Sequence, residues 1–284
     1  MLKKLLSHKK NLFFIEAHSP LSAHIIDSIN IPDNDGFPLS FDGIWSSSLS
    51  DSVLNGLPDT EYLDLRSRIK HVHDMMEFTS KPIIFDADTG GDIPHFEKNI
   101  RMMERIGISA VIIEDKTGQK KNSLFGNSVY QQLEDINVFS EKIMAGKKSL
   151  KYNDLQIFAR IESLIAGMPM DDALIRAERY VHAGADGIMI HSCKRNADEV
   201  ICFAHKFRKK FPFIPLVCVP TTYSDTPPSW LFDAGFNIII YANHLIRSSY
   251  KAMEDTAIQL LRTGMAADVE SKCVEVKKIL SAFE

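Results

Sequence analysis

Asp86 and Asp88 flank one alanine at the end of the apolar run PIIFDAD, and Glu114 lies near the end of the next such run, SAVIIEDK. Residues i and i+2 of a strand share a face, so on an extended chain both aspartates point the same way. Neighbouring carboxylates repel unless they share a cation. A hard divalent ion such as Mg2+, which takes oxygen ligands and keeps several waters, suits them; the acids could equally cap the helix that follows. Arg160 and His191 stand near the ends of two later runs, LQIFARIE and DGIMIHS. A guanidinium fork and an imidazole donor match a phosphoryl or carboxylate group. Arg160 could also form a structural ion pair with Glu162 or Asp186, and His191 could be a hydrogen-bonded core histidine. The stretch IIEDKTGQKKNSLFG, residues 112–126, then crowds acids, lysines, amides and two glycines into and behind an apolar run. A fold alone does not require that density, which leaves a solvated loop or the rim of an active site.

Eight short, nearly continuous apolar runs must position these groups: LFFIEAHS, GIWSSS, PIIFDAD, SAVIIEDK, LQIFARIE, DGIMIHS, IPLVCVPT and FNIIIYAN. Each has the pattern of a strand buried on both faces of a parallel sheet. Helical patterns alternate with them, from LSAHIIDSI to HLIRSSYKAMEDTAIQLLRTG. MDDALIRAERYVHAG carries Asp171 and Asp172 in its first turn, where acids favour a helix start, and Gly107, Gly184 and Gly235 stand where a left-handed cap ends a helix. The alternation predicts an α/β protein built as a closed (β/α)8 TIM-type barrel. An open doubly wound sheet is the alternative, but no G-x-G-x-x-G follows the first strand. No linker interrupts the chain, which predicts one domain over residues 1–284. DVESKCVEVKKILSAF adds an extra amphipathic helix after the eighth unit, and its apolar side must be covered by the barrel or by another subunit. The working face of such a barrel lies at the C-terminal ends of the strands, where the acids, Arg160 and His191 are found.

The chain has 284 residues, 45% hydrophobic and 25% charged, with a formal net charge of −4. That is ordinary globular composition with no nucleic-acid footprint. The four cysteines are scattered without metal-ligand spacing, as expected of reduced thiols in a cytoplasmic protein. The basic start MLKKLLSHKK precedes an apolar patch that is too short for a signal peptide and is broken by Glu16. No apolar run approaches membrane-spanning length, so no membrane partner is expected.

The segments GIWSSSL, DADTGG, EDKTGQKKNS, ARIESLIAG, ERYVHAGADGIMIHS, VPTTY and ANHLIRSS resemble the phosphoenolpyruvate phosphomutase family, within the isocitrate lyase superfamily. The resemblance covers nearly the whole chain. E-D-K-x-x-x-x-x-N-S is its most specific part, and in that family it forms a mobile loop that gates the site. The resemblance implies Mg2+, a homotetramer, and a barrel whose C-terminal helices are swapped onto a neighbouring subunit. It implies interconversion of phosphoenolpyruvate and phosphonopyruvate, the step of phosphonate biosynthesis that makes a carbon–phosphorus bond. Asp86 matches the direct metal ligand, and Asp59, Asp88 and Glu114 match acids that hold the metal's waters. Trp45, Ser47 and Leu49 match the segment facing the pyruvyl part. Arg160, His191 and Asn122 match groups around the phosphoryl unit, and Lys120 and Ser123 belong to the lid.

Two departures touch the pocket rim. The family commonly reads Leu-Phe-Pro where this chain has Thr117, Gly118 and Gln119, and it has an aromatic residue between the glycines that here adjoin as Gly90 and Gly91. Phosphonopyruvate hydrolysis is the nearest competing activity, since Thr117 offers the lid a hydroxyl. A carbon–carbon lyase would need a cysteine where this chain has Lys121, Asn122 and Ser123. A non-catalytic barrel would have lost the site residues that are all present here.

Overall fold

Eight parallel strands close on themselves in chain order. They are β1 (Leu12–Glu16), β2 (Gly43–Ser46), β3 (Ile83–Asp86), β4 (Ala110–Glu114), β5 (Gln156–Ile161), β6 (Gly187–Ile190), β7 (Leu216–Cys218) and β8 (Ile238–Tyr241). Their β-branched, apolar sequences are buried on both faces, as the parallel arrangement demands. The expected TIM-type barrel is therefore present. The computed structural model describes residues 1–283 and falls into two compact units, Met1–Asn243 and His244–Glu284.

In the first unit α1 (Leu2–His8) precedes β1, and the connections carry α2 (Pro20–Ser28), α3 (Ser48–Leu54), α4 (Leu65–Met76), α5 (Ile93–Ile106), α6 (Ile136–Ser149), α7 (Met170–His182), α8 (Asp198–Lys210) and α9 (Pro228–Ala234). Local chemistry sets their ends. The Asp64 side chain accepts Ser67 N–H at 3.0 Å, so α4 starts there. Asp92 does the same for α5 through His95 N–H at 2.9 Å. This settles one open reading: the cap of α5 is Asp92, which leaves Asp86 and Asp88 for other work. A short hairpin pairing Ile31–Pro32 with Pro38–Leu39 lies outside the expected series. Its strands are too short to produce a period.

The barrel interior follows strand parity. Phe14, Trp45, Ile84, Ile112, Phe158, Met189, Val217 and Ile240 share one buried cluster. Leu2 joins it beside Leu12 and Ile238 at the strands' N-terminal ends. The basic–apolar start of the chain is thus a plug for the barrel floor. Gly187 admits the Phe158 ring, which would lie 2.7 Å from any Cβ there. Continuing the inward parity by two residues leads from Ile84 to Asp86, from Ile112 to Glu114, from Phe158 to Arg160 and Glu162, and from Met189 to His191. The apolar floor and the polar mouth belong to the same alternation.

The second unit comprises α10 (His244–Thr263), α11 (Ala267–Glu270) and α12 (Val276–Leu280). The single helix expected over 268–283 is therefore two short ones. Glu275 leaves the helical region, with ψ 136°, at the N-cap position of α12. Val269, Val274 and Val276, stiff at χ1, weaken a continuous helix there. Among the described residues no helix is long and apolar enough to cross a membrane.

Candidate active site

Glu114 and Arg160 are register partners on adjacent strands β4 and β5, and parity turns both side chains into the barrel mouth. Arg160 Nη2 donates to Glu114 Oε2, Nε donates to Glu162 Oε1 at 2.6 Å, and Nη1 stands 3.6 Å from Asp86 Oδ1. His191, two residues beyond Met189, sets Nδ1 2.8 Å from the same Glu162 oxygen. Burial disfavours the Arg160 charge, but Glu114, Glu162 and Asp86 outweigh it and hold the guanidinium firmly protonated. Burial also opposes ionised Glu162, yet Arg160, His191 and Lys116 keep it well below the usual carboxylate range. At Glu114 burial wins and, with Glu162 adding repulsion, pushes the carboxyl up to about 7. One guanidinium shared by two buried acids gives this split: one acid ionises fully and the other pays for its neighbour's charge. Burial lowers His191 against the pull of Glu162, and its Nδ1–H donates a hydrogen bond to the ionised Glu162. Both structural readings of the sequence, the Arg160–Glu162 pair and a bonded histidine, hold together with a place in the site.

The other side of the mouth is built from loops. Strand β3 ends at Asp86, and Asp88 lies in a turn closed by Gly90 N–H to Ala87 O at 2.8 Å, with its own φ at +54°. The two aspartates therefore do not share a strand face as their spacing predicts. A left-handed backbone at a non-glycine residue is sparsely populated and costs of order 1–3 kcal/mol. Asp88 is held there by Arg68 of α4, whose Nη1 lies 3.0 Å from Asp88 Oδ2 and whose Nε lies 2.8 Å from Asp51 Oδ2.

The stretch 115–134 folds over this mouth. Lys120 Nζ donates to Asp59 Oδ1 at 2.6 Å, to Ser48 Oγ at 2.7 Å and to Asp88. Burial would neutralise Lys120, but Asp88, Asp59 and Asp86 hold it charged. Asn122 Nδ2 donates to Asp59 Oδ2 at 2.7 Å, and Ser123 Oγ donates to Glu162. Lys116 braces the loop from inside, donating to Lys121 O at 2.8 Å and Ser123 Oγ at 3.1 Å. The segment is a shut cover and not a solvated turn.

One cavity collects Trp45, Ser47, Leu49, Asp59, Asp86, Lys120, Asn122, Ser123, Arg160 and His191. Asp88 and Glu114 stand behind that lining, reached through Lys120 and Arg160. Ser48, Ser192, Thr221, Thr222 and Asn243 also line it. Their place at strand ends was the available signal. Glu162 and Arg68, which orient the lining groups, carried a weaker one: an acid two residues from Arg160, and an arginine inside an amphipathic helix.

Among the described residues no group of three or more His, Cys, Asp or Glu side chains converges at metal-ligand spacing. Mg2+ does not need one, since it is often held by one or two carboxylates and keeps several waters. Asp86 suits that role. Its closest cationic nitrogen is 3.6 Å away, and its other contacts are Ser48 Oγ at 3.1 Å, Ser48 N–H at 3.5 Å and Asp88 N–H at 3.3 Å. Burial works against its charge, but Arg160, Lys120 and Arg68 keep it ionised below the usual range. Asp59, Asp88 and Glu114, by contrast, are each gripped by a lysine or arginine at short range. The donor set is all oxygen and fits a hard cation.

The sequence model of the phosphoenolpyruvate phosphomutase family matches residues 2–261. The chain belongs to that family. It is 33% identical to the phosphoenolpyruvate phosphomutase of Tetrahymena pyriformis over 279 residues, 98% of this chain and 88% of the relative. The crystal structure of phosphoenolpyruvate phosphomutase from Streptomyces platensis subsp. rosaceus superposes with a TM-score of 0.90 at 32% identity, covering 99% of this chain and 93% of that one. A phosphonopyruvate hydrolase solved with oxalate and Mg2+ superposes at 0.86 with 30% identity, covering 99% and 93%. Mutase and hydrolase thus stand at similar distance, and the chain is an enzyme of the phosphoenolpyruvate mutase and isocitrate lyase superfamily. In this family member the missing aromatic leaves the two glycines adjacent, and both Gly90 and Gly91 have positive φ. Their turn borders an outer cleft with Asp64 and His95, apart from the main cavity.

Proposed function

We propose that this chain interconverts phosphonopyruvate and phosphoenolpyruvate. The observation that carries the reading is the division of the cover. Asn122 and Ser123 line the cavity with Arg160 and His191, whereas Thr117 lines a separate cavity with Gly118, Gln119 and Tyr130. The hydroxyl that could serve a water attack is outside the chamber that holds the phosphoryl-binding groups.

In that chamber the C3–P bond of phosphonopyruvate breaks, and its electron pair passes to C3 to give the enolate of pyruvate. The loose, metaphosphate-like group then accepts a pair from the enolate oxygen, forming the O–P bond of phosphoenolpyruvate. Atoms and charge balance with no proton taken or released. Arg160 and the Asn122 amide donate to the phosphoryl oxygens. His191 offers Nε2, and an arriving dianion favours its protonation. Trp45 and the Ser47–Leu49 segment face the pyruvyl part. The cover excludes water, which would otherwise capture the phosphoryl group. Asp86 would hold Mg2+ and Asp59, Asp88 and Glu114 its waters; when bound, the ion supplies a positive charge that steadies developing enolate charge.

Phosphorus NMR of phosphonopyruvate with the enzyme tests the reading: a growing phosphoenolpyruvate signal is expected. Stoichiometric phosphate and pyruvate from the first time point would make the protein the hydrolase. Asp86→Ala should abolish Mg2+-dependent turnover with the far-UV spectrum unchanged, and calorimetry should show Mg2+ binding lost. Retained binding would remove Asp86 as the ligand. The same reading includes a homotetramer built by exchange of the C-terminal helices. The second unit carries exposed Leu261, Val276 and Leu280. Deleting residues 266–284 should then dissociate or aggregate the assembly. An unchanged subunit count by light scattering would refute the exchange.

A further inference from the structure

The two ends of the cover are fastened from outside the cavity by one helix. Arg176 and Tyr180 stand one turn apart on α7, and both are buried. Arg176 Nη1 donates to Glu134 O at 3.0 Å, to Asp115 Oδ2 at 3.2 Å and to Tyr180 Oη at 2.9 Å. Tyr180 Oη donates in turn to Asp115 Oδ2 at 2.8 Å. Asp115 and Glu134 are the entry and exit of the cover, joined by Glu134 N–H to Asp115 O at 2.9 Å. The next rungs are a bridge between Lys116 and Leu133, and Thr117 N–H to Gln132 O at 3.0 Å. A single guanidinium therefore grips both legs of the stem.

The same knot reaches the chemistry indirectly. Asp115 Oδ1 accepts Glu162 N–H at 2.8 Å, and Glu162 is the acid that orients Arg160, His191 and Ser123. Arg176 is itself aimed by Asp172, which accepts its Nε at 3.0 Å and Ser163 Oγ at 2.7 Å. Neither Arg176, Tyr180 nor Asp115 lines the cavity. A fixed stem matters because Asn122 and Ser123 must return to the same place at each closure, and misplacement by about 1 Å can cost about 10²-fold.

We propose that Arg176, supported by Tyr180, is a positioning residue that makes the stem of the cover a fixed pivot. The segment between Gly118 and Gln131 opens and shuts while residues 115–117 and 132–134 stay in place. The pivot stands on geometry alone; only one of the two readouts below rests on the proposed phosphoryl transfer.

The test uses full-length Arg176→Met, Arg176→Lys and Tyr180→Phe. The first readout is trypsin cleavage after Lys120 and Lys121 in the native protein, at protease levels where cleavage reports the open population. Arg176→Met should be cut at least about tenfold faster. Arg176→Lys should fall between it and the wild type, since an ammonium cannot span both legs. Tyr180→Phe should show the smallest rise. The second readout is the share of phosphonopyruvate released as phosphate and pyruvate instead of phosphoenolpyruvate. A looser pivot admits water, so the share should rise at least about fivefold in Arg176→Met. A purely structural loss would remove active enzyme and lower both products together, leaving the share unchanged. Wild-type cleavage rates across the variants overturn the pivot. Should Arg176→Met not fold, the other two variants decide by the same measurements. If the wild type itself yields only phosphate and pyruvate, the proposed function fails, and the cleavage readout alone judges the pivot.

Discussion

The two sides of the cavity are held by different kinds of structure. Arg160, Glu162, Glu114 and His191 stand on or just beyond neighbouring barrel strands, where hydrogen-bonded register fixes their spacing. Ser48, Asp59, Asp88, Lys120 and Asn122 come from loops and a short helix start that share no ladder. They meet because one ammonium group draws Ser48, Asp59 and Asp88 together. The Arg160–Glu162–His191 bonds of the strand side involve no residue of the cover, whereas Asp59 meets the site only through Lys120 and Asn122 of the cover. The proposed reaction, which must grip a dianion and then exclude water, needs both kinds.

The largest effect should follow loss of the strand side's central cation. Arg160→Met removes the proposed phosphoryl donor and strands Glu114 and Glu162 as neighbouring buried acids. Turnover should fall by at least about 10³-fold, the upper range for one preorganised donor. Stability should fall by about 3–5 kcal/mol, the usual cost of breaking a buried pair from one side. Steady-state kinetics and urea unfolding check the two parts. A fully active or equally stable variant would mean that the strand side is not organised around Arg160.

Loss on the loop side should be kinetic. Asn122→Ala deletes a proposed donor to the phosphoryl group and a bond to Asp59. It should lower turnover by at least about 10²-fold. Its unfolding free energy should stay within about 1 kcal/mol of the wild type, because one hydrogen bond at the rim is worth little more. If Asn122→Ala destabilises the protein as much as Arg160→Met does, the contrast between the two sides fails.

That contrast also explains what could be read from the sequence. The barrel was legible because eight apolar runs alternate with helical patterns, and Asp86, Glu114, Arg160 and His191 could be placed at the barrel mouth because they stand near the ends of those runs. Asp88 was misjudged: its spacing from Asp86 implied a shared strand face, but the strand ends at Asp86, two residues earlier, and Asp88 itself takes a left-handed φ. Tertiary contacts from Arg68 and Lys120 fix that turn, and no local pattern encodes them. Asp59, Lys120 and Asn122 could be placed in the site only by resemblance, since loops without a period meet through an ion pair and an amide hydrogen bond between residues some sixty positions apart. The C-terminal helix was misread for a related reason: amphipathic spacing persists through Val274 and Val276 although the backbone breaks at Glu275.

The smallest effect should come from the residue that most distinguishes this cover from the common Leu-Phe-Pro form. Thr117 is half-buried in the stem, donates its N–H to Gln132 O at 3.0 Å, and lines a cavity separate from the one with Arg160 and His191. Replacing it by valine keeps its shape and its backbone bond and removes only the hydroxyl. If water capture does not use that hydroxyl, Thr117→Val should hold turnover within about twofold and leave the division between phosphoenolpyruvate and phosphate unchanged, since a surface-side change away from a buried network shifts energies by only about ±0.5 kcal/mol. Phosphorus NMR time courses, with pyruvate assayed in parallel, measure both quantities. A sharp fall in phosphate release, with phosphoenolpyruvate formation maintained or increased, would place the hydroxyl in the path of water and move this cover towards hydrolysis. The loop side would then choose the reaction as well as seal it.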